Sequence, residues 1–225
     1  MSNNRLPSYV KPLCVIAIAL VLSSCMPRGA NLETLDPNLY DQSWLTGKPC
    51  GAPCWYGLEP GVSSRDDAIS KIKQLPFIDG NAISTYQKAI SFRYKKPRDS
   101  NSVNLIFEND VLDEIWFSPS YRITFEQAVE KLENPDGYEI WLTPGGLYAG
   151  CRLDVIWENK GLMLEYATGE ISIISFGSNR DLCNNFGKQP LPKGLLLDSV
   201  NITTPSFIES MIKGGDFYSW NGFAK

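Results

Sequence analysis

Apolar and polar side chains alternate through several short stretches of this 225-residue chain. Val103, Leu105 and Phe107 point one way while Asn104 and Glu108 point the other. Leu162, Leu164 and Tyr166 follow the same rhythm, as do Ile171 and Ile173. A period of two marks a strand with one buried face. Asn109-Asp110 suits a tight hairpin because both residues tolerate positive φ, and Asn159-Lys160-Gly161 suits a slightly longer turn with a left-handed glycine. Two other stretches have helical spacing: Ala68, Ile72 and Leu75 share one face, as do Phe125, Ala128, Val129 and Leu132. Ser64 can cap the first helix, with Asp66 and Asp67 in its first turn where the helix dipole favours anions. Thr124 and Gln127 form a capping-box pattern for the second. Further on, 194–200 is a short apolar strand, and Thr204-Pro205 starts a helix that Gly214-Gly215 ends.

Some of these pieces recur. Ser64, Ala68, Ile69, Lys71 and Ile72 match Thr124, Ala128, Val129, Lys131 and Leu132 at a spacing of 60. Ile106, Phe107, Glu108, Asn109 and Leu112 match Ile156, Trp157, Glu158, Asn159 and Leu162 at a spacing of 50. The order predicts an α+β fold: two tandem helix-plus-antiparallel-sheet repeats, about 57–119 and 120–178, with helices on one face. A loop-rich C-terminal extension, 179–225, follows and is expected to pack on the second repeat. Residues 25–48 hold Pro27, Gly29, Asn31, Pro37, Asn38 and Gly47 with few apolar residues at any period, and read as a flexible tether before a globular domain, 49–225.

The first 24 residues are different. Arg5 and Lys11 precede a short apolar run, 13–22, too short to span a bilayer and of the length of a secretory signal core. Leu22-Ser23-Ser24-Cys25 closes it with small residues before a cysteine. The arrangement resembles a bacterial lipoprotein signal, which implies cleavage before Cys25, acylation of Cys25, and a chain held to the cell membrane or outer membrane facing away from the cytoplasm. Two or three acyl chains give far firmer attachment than one.

Removing that signal leaves 19 basic and 25 acidic residues, a net charge of −6. An acidic chain without a basic cluster argues against nucleic acid as a partner, and against anionic lipid binding by the folded part. The cysteines fit export. With Cys14 lost and Cys25 acylated, Cys50, Cys54, Cys151 and Cys183 remain, an even number suited to disulfides in an oxidising compartment. Three connectivities are open, with Cys50–Cys54 and Cys151–Cys183 preferred because three residues can close a small loop around Gly51 and Pro53.

The chain has no histidine, which removes Ser–His–Asp and Cys–His catalysis and all histidine metal sites; neither a cofactor nor a metal is expected. A carboxylate pair, Glu108 with Glu158, is the alternative route to chemistry, since two carboxylates suffice for glycoside hydrolysis. Trp55 and Tyr56 beside the cysteine loop, Trp116, Trp141, and Tyr148 in the loop 143–150 are candidates for contact with a protein or glycan partner in the envelope.

The stretch from Gly57 to Ala68, Gly-Leu-Glu-Pro-Gly-Val-Ser-Ser-Arg-Asp-Asp-Ala, resembles the helix start of small envelope lipoproteins of the SmpA/OmlA type. The tandem arrangement resembles the β-lactamase-inhibitor-protein fold. Cys54-Trp55-Tyr56-Gly57-Leu58-Glu59-Pro60-Gly61 is also similar to a signature of uncharacterised bacterial envelope lipoproteins. These resemblances imply a non-catalytic binding or scaffolding role; the alternative is a carboxylate-dependent carbohydrate-active enzyme.

Overall fold

The computed structural model describes residues 29–96, 102–143, 150–167 and 190–223. Among the described residues there are nine strands: β1 (Ile78–Thr85), β2 (Ala89–Tyr94), β3 (Ser102–Glu108), β4 (Val111–Phe117), β5 (Gly137–Thr143), β6 (Gly150–Trp157), β7 (Leu162–Ala167), β8 (Leu197–Thr203) and β9 (Phe217–Ser219). They form a single antiparallel sheet in the order β1-β2-β3-β4-β8-β7-β6-β5-β9. The fold is thus mixed helix and strand, with few helices. Ile171 and Ile173 lie outside the described residues.

The alternation seen in the sequence produces two unlike faces. Ile90, Leu105, Ile115, Ile202 and Leu162 stand in one row across β2, β3, β4, β8 and β7, and all are fully buried. Helices α1 (Arg65–Ile72) and α2 (Phe125–Leu132) add Ala68, Ile72, Phe125, Ala128 and Leu132 to that core. Both have the capping boxes that their sequences predict: Ser64 Oγ accepts the Asp67 amide at 3.1 Å, and Thr124 Oγ1 accepts the Gln127 amide at 3.3 Å. A further helix, α3 (Pro205–Gly214), is capped by Thr204 with Pro205 in its first turn.

Strand directions give the sheet two ends. Tyr94, Ser102, Phe117, Thr143, Gly150, Ala167 and Leu197 mark one end of their strands, where 118–124 also leads from β4 into α2; this end is called proximal below. Turns 86–88, 109–110 and 158–161 and the start of α1 lie at the other, distal end. Asn109 and Asp110 both take positive φ, as a two-residue hairpin with the right twist requires. Gly161 also has positive φ, and a β-carbon there would collide with the Thr203 carbonyl.

Two expectations need correction. First, the tether reading of 25–48 fails from about Ala30 onward. The Ala30 amide donates to the Arg122 carbonyl at 2.7 Å, and Gln127 Nε2 donates to the Ala30 carbonyl at 2.9 Å. A 3-10 turn at Leu32–Thr34 and a one-turn helix at Ser43–Thr46 follow, with Trp44 and Leu45 buried. Their apolar residues have no period because the segment crosses the helical layer as irregular chain. Second, the C-terminal extension does more than pack on the second half: it also pairs with the first. Its strand β8 lies between β4 and β7 in the centre of the sheet, because Leu197, Val200 and Ile202 supply buried side chains that complete the core there.

Candidate functional site

The sheet face opposite α1 and α2 is polar; the end of α3 covers it over Glu139 of β5, and the rows on β2, β3, β4, β8 and β7 are partly open. Ser91, Asn104, Trp116, Asn201 and Met163 form one row across β2, β3, β4, β8 and β7, each only partly buried. Ser91 Oγ donates to Asn104 Oδ1 at 2.6 Å, and Asn201 Nδ2 donates to Glu114 Oε1 at 2.8 Å. These bonds hold two planar amides on either side of the Trp116 ring. Trp141, on the same face of β5, is 43% exposed.

A second row crosses the other half: Glu139 on β5, Asp154 on β6, Glu165 on β7 and Ser199 on β8. Directly opposed positions in neighbouring strands are about 5 Å apart at Cβ, so carboxyls of like charge face each other here. Glu139 and Asp154 are 2% and 1% exposed. Arg152 reaches Asp154 Oδ2 at 2.9 Å, and Ser199 Oγ donates to Glu165 Oε2 at 2.9 Å. Neither Glu139 oxygen has a hydrogen-bond partner. Burial pushes the Asp154 carboxyl up to about 6 despite the pull of Arg152, and Glu165 adds to the rise. Glu139 is also raised, by burial and by Asp154 and Asp216. The backbone after α3 closes this spot, since a side chain at Gly215 would collide with the Glu139 carboxyl.

A third polar centre lies under the helical layer. Asp41 is 2% exposed, and its carboxylate accepts Trp55 Nε1 at 2.7 Å, the Ser43 amide at 3.0 Å and Ser43 Oγ at 2.9 Å. Burial raises its pKa against these bonds. The hydroxyls of Tyr56, Tyr94 and Tyr121 surround it and are raised in turn, mainly by burial and also by the Asp41 charge.

This network decides the place of two expected contact residues. Trp55 is fully buried, between Phe92 and Phe117 with ring centroids 6.1 Å from each, and Tyr56 packs edge-on against it at 5.2 Å. Trp55 is a core residue and cannot present a surface. Trp141 is exposed as expected, while Tyr148, Cys25 and Cys183 lie outside the described residues. Cys50 and Cys54 form a disulfide. Cys151 is disulfide-bonded as well. Among the described residues no group of three or more His, Cys, Asp or Glu side chains is placed to hold a metal ion, and no helix is long and apolar enough to cross a membrane.

Glu108 and Glu158 do not form a pair. They sit at the distal ends of β3 and β6, with β4, β8 and β7 between them. Four strand spacings are about 19 Å, against the roughly 5–10 Å that either mode of glycoside hydrolysis needs. The carboxyls that do face each other, Glu139 and Asp154, went unnoticed in the sequence. Their signal was a charge at the solvent phase of two alternating runs, Tyr138-Glu139-Ile140 and Leu153-Asp154-Val155, which is the ordinary place for a solvated residue. No known protein family, curated protein or solved structure matches the chain.

Proposed function

We propose that the protein is a lipid-anchored, extracytoplasmic lipoprotein that acts as a non-catalytic binding or scaffold module in the cell envelope. The observation that carries the binding role is the partly open polar face, with Trp116 held between Asn104 and Asn201 and an exposed Trp141 beside it. Aromatic rings give large contact area at low entropic cost, and fixed amides supply oriented hydrogen bonds to a protein or glycan partner. The burial of Glu139 and Asp154, 2% and 1% exposed, favours binding over catalysis there. The anchor rests on Leu22-Ser23-Ser24-Cys25, and the Cys50–Cys54 disulfide is in keeping with export.

The reading includes a duplicated unit: α1 with β1–β4, and α2 with β5–β8, related by a twofold axis through the sheet between β4 and β8. The support is a repeated set of hydrogen bonds. Arg65 N donates to Asp110 O and Leu112 N to Ser63 O; Phe125 N donates to Leu195 O and Leu197 N to Ile123 O. The caps Ser64 and Thr124 bridge to Val111 and Leu196 in the same way. The helix spacing of 60 is kept. The hairpin spacing of 50 is not, since β3–β4 then corresponds to β7–β8 rather than to β6–β7.

Two measurements test the proposal. Cys25→Ala should release the protein from membranes or leave its precursor unprocessed, read by fractionation and the mass of the N-terminus. A photoreactive residue at position 116 should crosslink an envelope component in cells, and one at exposed Val62 should not. An unmodified N-terminus elsewhere in the wild type, or turnover of cell-wall polysaccharide by the purified protein, would overturn the reading.

A further inference from the structure

We infer that the proximal end of the sheet lies against the lipid bilayer, held there by a leash too short to let any other face approach it. The inference rests on the lipoprotein reading of Cys25 and extends it to the orientation of the folded domain. The decisive observation is where the chain first docks. Ala30 is fixed to the domain by its bonds to Arg122 and Gln127, and both lie at the proximal end, where the connection 118–124 leads into α2. Five residue steps separate Cys25 from Ala30. Fully extended, they span at most about 17 Å. The headgroup layer takes up about 5–8 Å of that reach. A domain of this size is about 40 Å across. The leash is therefore less than half the diameter of the body it holds, whereas a flexible segment running to residue 48 would have reached about 80 Å and left orientation free.

Charge is distributed in the same sense. Among the described residues, the proximal end carries Lys95, Lys96 and Arg122, with Lys193 there ion-paired to Glu126. The distal turns and helix start carry Asp66, Asp67, Glu108, Asp110, Glu133, Asp136 and Glu158 against Lys88 and Lys160, with Arg65 there ion-paired to Asp110. The acidic balance of the whole chain thus hides a basic end, and anionic headgroups attract that end and repel the other. Trp141 stands near the proximal end of β5, and aromatic residues of this kind are favoured at the membrane–water interface. Length, charge and residue type point to one occupant, a lipid surface.

The test uses the acylated full chain in vesicles of phosphatidylcholine and phosphatidylglycerol. A donor fluorophore is placed on a non-natural residue at position 122 or at position 62, with an acceptor on the lipid headgroups. Position 122 should transfer energy strongly and position 62, at the distal end, several-fold less. Inserting a long Gly-Ser segment between Arg28 and Gly29 should bring the two values together without touching any packed residue. Equal transfer from both positions in the uninserted chain, or stronger transfer from position 62, overturns the inference. The mass of the N-terminus is measured on the same sample. Equal transfer with a diacylated Cys25 defeats the orientation alone, whereas an unmodified Cys25 defeats the lipoprotein reading and the orientation with it.

Discussion

The buried carboxyl row should make stability fall as pH rises, the reverse of the usual behaviour of surface acids. Asp154 has an ordinary pKa of 3.8 when unfolded and about 6 in the folded protein. Between those values the folded state holds a proton that the unfolded state has released, so unfolding is increasingly favoured as pH climbs. The stability from this group is fully present below the unfolded value and is lost as pH passes through about 6. Two pK units at 1.36 kcal/mol each put the loss at about 3 kcal/mol. Asp154 is almost completely buried, so solvent screening removes little of it. The groups facing it are Arg152 on its own strand, Trp141 on β5, which hydrogen-bonds to it, Glu139 on β5 and Glu165 on β7. Asp154→Asn keeps an acceptor for Arg152 and removes the charge. Its stability should exceed wild type by about 1–3 kcal/mol at pH 7 to 8 and should change little between pH 4 and 7. Arg152→Met, which removes the main attraction and leaves the Trp141 hydrogen bond, should start the loss at lower stability and extend it to higher pH. Urea denaturation across that range reads all three proteins. Parallel profiles for wild type and Asp154→Asn would refute the assignment.

Asp41→Ala should be far more harmful, because it strands Trp55 Nε1 and the Ser43 amide in the core. A loss of about 3–5 kcal/mol is expected, with Asp41→Asn milder because one acceptor remains; a near-wild-type melting temperature for Asp41→Ala would contradict the network. Thiol titration of the unfolded, unreduced mature chain should find none of Cys50, Cys54, Cys151 and Cys183 free, and Cys151→Ser with Cys183→Ser should cost about 2–4 kcal/mol. Free thiols at Cys151 and Cys183 together would rule out that pairing.

Local features of this fold were legible because local physics makes them. Two capping boxes, the alternation of β3 and β7, and the Asn109-Asp110 turn each depend on residues within a few positions of each other. The long-range features were not. Nothing in 197–203 says that it will pair with β4, more than eighty residues upstream. Its burial pattern also breaks strict alternation, and its register with β7 shifts between Glu165 and Tyr166. The repeat spacing of 50 misled because Phe107-Glu108-Asn109 and Trp157-Glu158-Asn159 are alike as turn chemistry, although they join different strands of the proposed unit. Trp55-Tyr56 next to a disulfide loop has the composition of a contact site. Only the buried Asp41 carboxylate, fourteen residues earlier, shows why that tryptophan points inward.

The same long-range facts bear on how a partner would be met. All nine strands run between the proximal and distal ends, so a proximal end held at the bilayer leaves the sheet standing on the membrane rather than lying along it. The helical face is crossed by the N-terminal segment and the core is sealed behind it. The polar face of Trp116, Asn104 and Asn201 then looks sideways, along the membrane plane, at a height of a few tens of Å at most, set by the strand length of about 23 Å plus the leash. A surface so placed is met by molecules that share the same layer of the envelope. A ligand arriving from bulk solvent has less need of a fixed height. Under the proposed anchoring, a short leash would limit the search to two dimensions and keep Trp116 at one level. Lengthening the leash should therefore weaken capture at position 116 in cells while leaving the folded domain and its stability unchanged.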